Sequence, residues 1–147
     1  MCEKSKKREM CKRSEKREAR DVKERAFGHR KLVVWKNIDD LTNIVCNRIL
    51  PAIPKNKAKL RDQIERAVSS IGANFIEGYY SGSTKEFIRF LSYSRRSLSE
   101  LGYWLNFCCK IRLISGSLFN SSDDLLIRTG YLLDRLTQSL RSKLTSS

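Results

Sequence analysis

The chain has 147 residues, the length of one domain, and 40% of them are hydrophobic, enough to build one core. Thirty Lys and Arg against sixteen Asp and Glu leave a net charge of +14; charge of that sign attracts polyanions, whether nucleic acid, anionic membrane or acidic protein. No apolar run approaches the ~20 residues of a membrane span, and the basic start is not followed by the apolar stretch of a secretory signal, so a cytoplasmic protein without a membrane partner is expected.

Residues 1–31 hold thirteen basic and six acidic side chains, and residues 32–147 hold seventeen and ten. Each part is therefore equally basic, and a charged tail alone does not account for the total. Within 1–26, Glu3–Lys7, Glu9–Arg13 and Asp21–Arg25 sit four apart with the acid first, a spacing that supports a helix. No continuous apolar stripe accompanies them. The expectation is a basic N-terminal arm over 1–30, partly helical or disordered, that orders on a polyanion.

From Leu32 the pattern changes. Trp35, Ile38, Leu41, Val45 and Ile49 recur at three- and four-residue steps, which predicts a helix ending near Leu50, ahead of Pro51 and Pro54. A second helix is predicted from about Lys57, with Leu60, Ile64, Ala67, Val68, Ile71 and Phe75 inside, closing at Gly78 and Ser81-Gly82. A third starts at the N-cap Ser83, with Glu86 completing a capping box. It runs to about Leu113 and buries Phe87, Leu91, Ser94, Leu98, Leu101, Leu105 and Cys108; Gly116 follows. A fourth is predicted after Ser121 or Ser122, with Asp123 and Asp124 at its positive end and Leu125, Leu126, Leu132, Leu133, Leu136 and Leu140 on its apolar side. Four amphipathic helices with short connections predict an all-α, antiparallel up-down four-helix bundle over 31–147.

Catalysis finds little purchase in this pattern. His29 is the sole histidine, lies at the edge of the arm and has no Cys or Asp at a recognisable spacing, so it reads as a surface residue. No Glu-x-x-His pair suggests a di-iron bundle, and no glycine-rich phosphate loop is present. The five cysteines are odd in number, lack a C-x-x-C pair and include the adjacent Cys108 and Cys109, which reads as reduced thiols packed as small hydrophobes. No enzyme, metal or cofactor is therefore expected. Asn74 and Glu77 on the second helix, facing Ser94, Ser97 and Glu100 on the third, read as a structural polar network that sets helix register; a carboxylate site at Glu77 and Glu100 is the lesser alternative.

Phosphate contact is the function that the basic residues suggest. The candidates are Lys6, Lys7, Arg8, Lys12, Arg13, Lys16 and Arg17 in the arm, Lys55, Lys57, Lys59, Arg61 and Arg66 around the second helix, and Arg89, Arg95 and Arg96 on the third. Tyr79, Tyr80 and Tyr93 lie near them in sequence and could stack on unpaired bases.

The run from Arg66 to Gly78, RAVSSIGANFIEG, resembles the signature of a family of four-helix-bundle proteins. These are known as 23S rRNA intervening-sequence proteins and as the accessory variability determinant (Avd) of diversity-generating retroelements. Glu86–Leu91 (EFIRFL), Ser97–Leu101 (SLSEL) and Leu32–Lys36 (LVVWK) resemble its other conserved pieces, so the likeness spans roughly residues 31–140. Two positions depart from it: Arg96 stands where a small residue is common, and Ile76 where Ala is common. The resemblance implies a four-helix protomer assembled into a ring, usually a homopentamer. For Avd-like members it further implies a basic, non-catalytic protein that binds a reverse transcriptase and its RNA, or RNA–DNA hybrid. For intervening-sequence members it implies an assembly module without a specific nucleic-acid role. The arm precedes the resemblance.

Overall fold

The computed structural model describes residues 2–146, without the side chains of residues 2–4 and 23–25. The described residues are all-α, without a strand among them. They divide into two compact units, Met1–Leu32 and Val33–Ser147.

The first unit consists of α1 (Cys2–Ala26), one continuous helix, and a 3-10 turn over Gly28–Lys31. From Ser5 to Val22 every side chain is exposed, as the absence of an apolar stripe requires. The expected pairs Glu3–Lys7 and Asp21–Arg25 involve side chains outside the described ones. His29 departs from expectation. It is buried, with 6% of its surface accessible, and its pKa lies below the ordinary value because burial disfavours the charged ring and Arg30 repels it.

The second unit packs its helices as a bundle. α2 (Val33–Ile44) continues into a π-helical turn (Val45–Ile49) and the short α3 (Leu50–Ala52). The helical path therefore passes Leu50, and Pro51 falls in the first turn of α3, where a missing N–H costs least. The wider π turn keeps Val45, Ile49 and Leu50 all buried where a uniform α-helix would rotate one of them outward. α4 (Ala58–Tyr79) follows a 3-10 turn at Lys55–Lys57, and α5 (Thr84–Lys110) begins at the Ser83 cap. The Ser83 hydroxyl accepts from the Glu86 amide at 3.3 Å, but the Glu86 carboxylate pairs with Arg89 at 2.7 Å, so the capping box is made on one side.

The start of α6 (Gly116–Thr145) corrects the sequence reading. Ser115, not Ser121 or Ser122, is the cap, accepting from the Leu118 amide at 3.1 Å. Asp123 and Asp124 lie two turns into the helix, beyond the reach of its positive end. Leu118 and Ser122 are buried, so the helix is already facing the core before the leucine-rich run begins.

α4 packs chiefly on α5, α5 on α6, α6 on α2, and α2 on α4. Gly78 meets Phe87 and Phe90, and Ile71 meets Ser94, so α4 and α5 run in opposite directions. Gly102 meets Leu126, Leu98 meets Gly130 and Arg95 meets Asp134, which sets α5 and α6 antiparallel as well. The core holds Ile38, Leu41, Ile64, Ile71, Phe75, Leu91, Leu101, Leu105 and Leu133, each at 2% exposure or less. No described helix is long and apolar enough to cross a membrane.

Candidate nucleic-acid interface

The antiparallel seam between α5 and α6 holds two grooves along its length, with Arg95 lining both. Toward the start of α5 and the end of α6 lies a groove of about 530 Å³, lined by Ser92, Arg95, Tyr131, Arg135, Gln138 and Arg141 among others. Arg95 donates to Asp134 from Nε at 3.1 Å and to Ser99 from Nη1 at 3.0 Å, which fixes its guanidinium across the seam. Gly130 makes room for it: a Cβ there would sit 3.4 Å from the Arg95 Cζ. Arg135 lies 5.9 Å from the exposed Tyr131 ring.

The basic surface continues over the outer side of α5. Arg89 and Arg96, seven residues apart, lie 6.0 and 5.7 Å from the ring of Tyr93 between them. Both are exposed. Of the acids nearby, Glu86 is engaged by Arg89 and Asp134 by Arg95. An exposed ion pair of this kind contributes little to stability, so a phosphate, with stronger charge and more acceptor oxygens, can displace the carboxylate. Guanidinium groups bind such oxygens two at a time.

The sequence candidates outside this surface are scattered. Lys55, Lys57 and Lys59 are exposed at the start of α4, with Arg61 half-buried and Arg66 exposed farther along. Because Ile71 is level with Ser94, Lys57 and Arg89 are separated by about 29 Å along the helix pair. The two clusters therefore do not make one patch. Tyr79 packs among Phe75, Tyr80 and Phe87 with ring centroids 4.9–6.3 Å apart, a packing role rather than an open stacking platform. Lys6, Lys7, Arg8, Lys12, Arg13, Lys16 and Arg17 are exposed on α1.

The polar network expected at Asn74, Glu77, Ser97 and Glu100 is corrected. Asn74 donates to the Ser70 carbonyl of its own helix at 2.8 Å, Glu77 and Glu100 are exposed, and Glu100 accepts from the Trp104 indole at 3.4 Å. By the same register the two glutamates stand about 18 Å apart along the helices, too far to act as a carboxylate pair. Of the third-helix residues expected there, Ser94 makes a buried hydrogen bond between α4 and α5, its hydroxyl donating to the Ile71 carbonyl at 2.8 Å. Asn74 lies at the edge of the α4 apolar arc, and an amide there reaches its own backbone more easily than the next helix.

Sequence reasoning missed Tyr131, Arg135 and Arg141. Their signal was present: Tyr131, Arg135 and Gln138 recur at four and three residues on α6, the outer counterpart of its leucine stripe. The other half of the seam is mixed in its lining but carries more of the exposed apolar side chains. A groove of about 560 Å³ is lined there by Arg95, Ser99, Asn106 and Asp123 together with Tyr103, Phe119 and Ile127. Tyr103 and Ile127 are 60% and 65% exposed, and Phe107 and Ile111 continue the exposed strip down α5.

No curated protein sequence matches the chain. A solved structure from Bacteroides thetaiotaomicron, described as a protein of unknown function from the S23 ribosomal protein family, is 24% identical and superposes with a TM-score of 0.65. The match covers 71% of this chain and 98% of that one, and it carries the fold alone. The family described as 23S rRNA-intervening sequence protein matches residues 30–135, which hold most of the bundle; Gln138 and Arg141 of the basic groove lie beyond the match. By that match over most of its length, the chain belongs to the 23S rRNA-intervening sequence protein family.

Proposed function

We propose that this chain is a non-catalytic RNA-holding protein, an antiparallel up-down four-helix bundle that assembles into a homo-oligomeric ring, by its resemblance a pentamer. In this reading it positions RNA, or RNA–DNA hybrid, for a reverse transcriptase. The observation that carries the reading is the basic surface over α5 and α6, where Arg89, Arg95, Arg96, Arg135 and Arg141 gather around Tyr93 and Tyr131 with their nearby acids already engaged. The helix contacts, running α4–α5–α6–α2 and back to α4, support the bundle topology. The mechanism is positioning: guanidinium groups neutralise phosphates, and this chain makes or breaks no covalent bond.

Titration of the full chain with a structured RNA at increasing salt tests the reading. Affinity is expected to fall steeply, with log K linear in log salt. The Arg96→Gln, Arg135→Gln, Arg141→Gln variant is expected to flatten that slope by about 0.7–0.9 for each phosphate that is no longer neutralised. Binding that is absent, or indifferent to salt, rules out RNA holding. Co-purification with a reverse transcriptase encoded beside the gene tests the retroelement part separately.

A second reading is favoured by the exposed apolar side chains along the seam. The exposed strip of Tyr103, Phe107, Ile111 and Ile127 suits a module whose main task is protein assembly, with charge serving solubility. That reading predicts a stable oligomer that leaves RNA unbound.

A further inference from the structure

α1 lies before the family-matched residues, and the bundle does not explain its charge. Over Ser5–Val22 all side chains are exposed, and only Met10 and Val22 are large and apolar. At 100° per residue these two fall about 120° apart around the helix, about three turns from each other. The helix thus has no stripe with which to dock on a core or to enter a bilayer.

Its charges, however, are sorted. Lys6, Lys12, Arg13, Lys16, Arg17 and Arg20 fall within an arc of about 140°, and Glu9 is the single acid among them. The other side carries Glu15, Glu18 and Asp21, with Lys7 and Arg8 beside them, and is close to neutral. A helix kept merely soluble would intersperse its signs around the axis. This one concentrates cations along a line of about 21 Å, from Lys6 to Arg20, equal to the rise of about six base pairs.

We propose that this face of α1 is a second phosphate-binding surface and that its ligand is a nucleic-acid duplex. The inference deepens the nucleic-acid reading of the bundle and takes from it the class of ligand. Two features select the duplex. Ser5–Val22 contains no aromatic residue, so the helix offers no ring on which an unpaired base can stack, the main source of affinity for single strands beyond charge. A row of cations along one continuous helix matches the regular phosphate rows of a duplex better than the variable backbone of a single strand. The contact is made to phosphates, so it is independent of sequence.

The test uses the full chain and three ligands at stepped salt: a DNA duplex, an RNA duplex and a single-stranded oligonucleotide without structure. In one variant the six cations of the arc are replaced by Gln, which keeps helix propensity. In a second, the residues of 5–22 are rearranged at constant composition so that charge is spread evenly around the helix, with circular dichroism confirming that α1 persists. Both variants are expected to lose duplex affinity, the first by 100-fold or more at low salt, with a slope shallower by about 3 or more. Single-strand affinity is expected to change much less. Equal losses for duplex and single strand, or an evenly charged variant that binds duplex like the parent, would overturn the proposal. So would retention on phosphatidylserine vesicles, dependent on the arc, with no effect on duplex. The Arg96→Gln, Arg135→Gln, Arg141→Gln variant runs beside these. If it alone changes the slope, the arm proposal fails and the bundle reading stands. If the arm variant alone abolishes binding, the bundle reading fails and the arm proposal stands.

Discussion

Gly78 is a residue at which α4 and α5 pack too closely for a side chain. A Cβ placed there would lie 2.7 Å from the Phe90 Cβ and 3.0 Å from the Phe87 Cδ2. The first of these is attached directly to the backbone of α5 and cannot swing away. Replacing a helical glycine by alanine ordinarily gains up to about 1 kcal/mol, but here the clash forces the helices apart and costs about 1–3 kcal/mol. Gly78→Ala is therefore expected to destabilise the protein by about 1–2 kcal/mol net, read as a lower midpoint in urea with an unchanged slope. A midpoint equal to or above that of the parent would show that the two helices have room to give. Cysteines follow the same logic of enclosure: Cys108 is buried, with its thiol pKa raised by burial, while Cys11 and Cys46 are exposed. At this scale the sequence was informative about size and apolarity and poor about polar partners. Ser94 in a leucine stripe was legible as buried, but which carbonyl its hydroxyl would meet depended on the register of another helix. The same ignorance sent Asn74 and Glu100 to each other's neighbourhood, when one bonds its own backbone and the other an indole one turn away.

The elements were legible wherever an apolar stripe and a cap coincided. α4 and α5 start within a residue of where Ser83 and the post-proline pattern place them. The end of α5 was less so, because its stop signal is not a glycine. The Leu113 amide donates to the Cys108 carbonyl at 2.9 Å and the Arg112 amide to the Cys109 carbonyl at 3.0 Å, the paired bonds of a Schellman ending. The residue in the left-handed position is Arg112, at φ 61°. Gly116, read as the break, instead opens α6. An L residue bears a steric penalty in that conformation that glycine does not. Arg112→Gly is expected to stabilise the fold by about 0.5–1 kcal/mol, raising the melting temperature by a few degrees, and Arg112→Val to lower it. A lowered melting temperature in the glycine variant would mean that the Arg112 side chain supports the turn by more than its backbone strain costs. The π turn at Val45–Ile49 was not legible at all, since both apolar residues fit an ordinary heptad and only the demand to bury Leu50 as well makes the extra residue necessary.

At the scale of the whole molecule, the proposed ring would tie assembly to binding through the seam of α5 and α6. A single protomer offers a handful of arginines on one short surface, which supports weak, salt-sensitive attachment. Joining copies through the exposed apolar strip would repeat the basic groove around the assembly, so that one RNA engages several protomers and gains avidity without any new chemistry at the phosphates. The strip has the composition for this: Tyr103, Trp104 and Phe107 form an aromatic cluster with centroids 5.0–6.5 Å apart, and Ile127 stands 65% exposed across the groove. Aromatic residues of this kind supply most of the energy of protein interfaces. Phe107→Glu with Ile127→Glu places two charges in the strip while leaving the core and every arginine untouched. The parent is expected to sediment as an oligomer at micromolar concentration and the double variant as a monomer with the same helical signal. RNA affinity is expected to fall about 10- to 100-fold in that monomer, although each protomer keeps its full set of arginines. A parent that sediments as a monomer removes the assembly from the proposal. A monomeric variant that binds RNA as tightly as the parent oligomer would separate the strip from the basic groove and leave the groove to act alone.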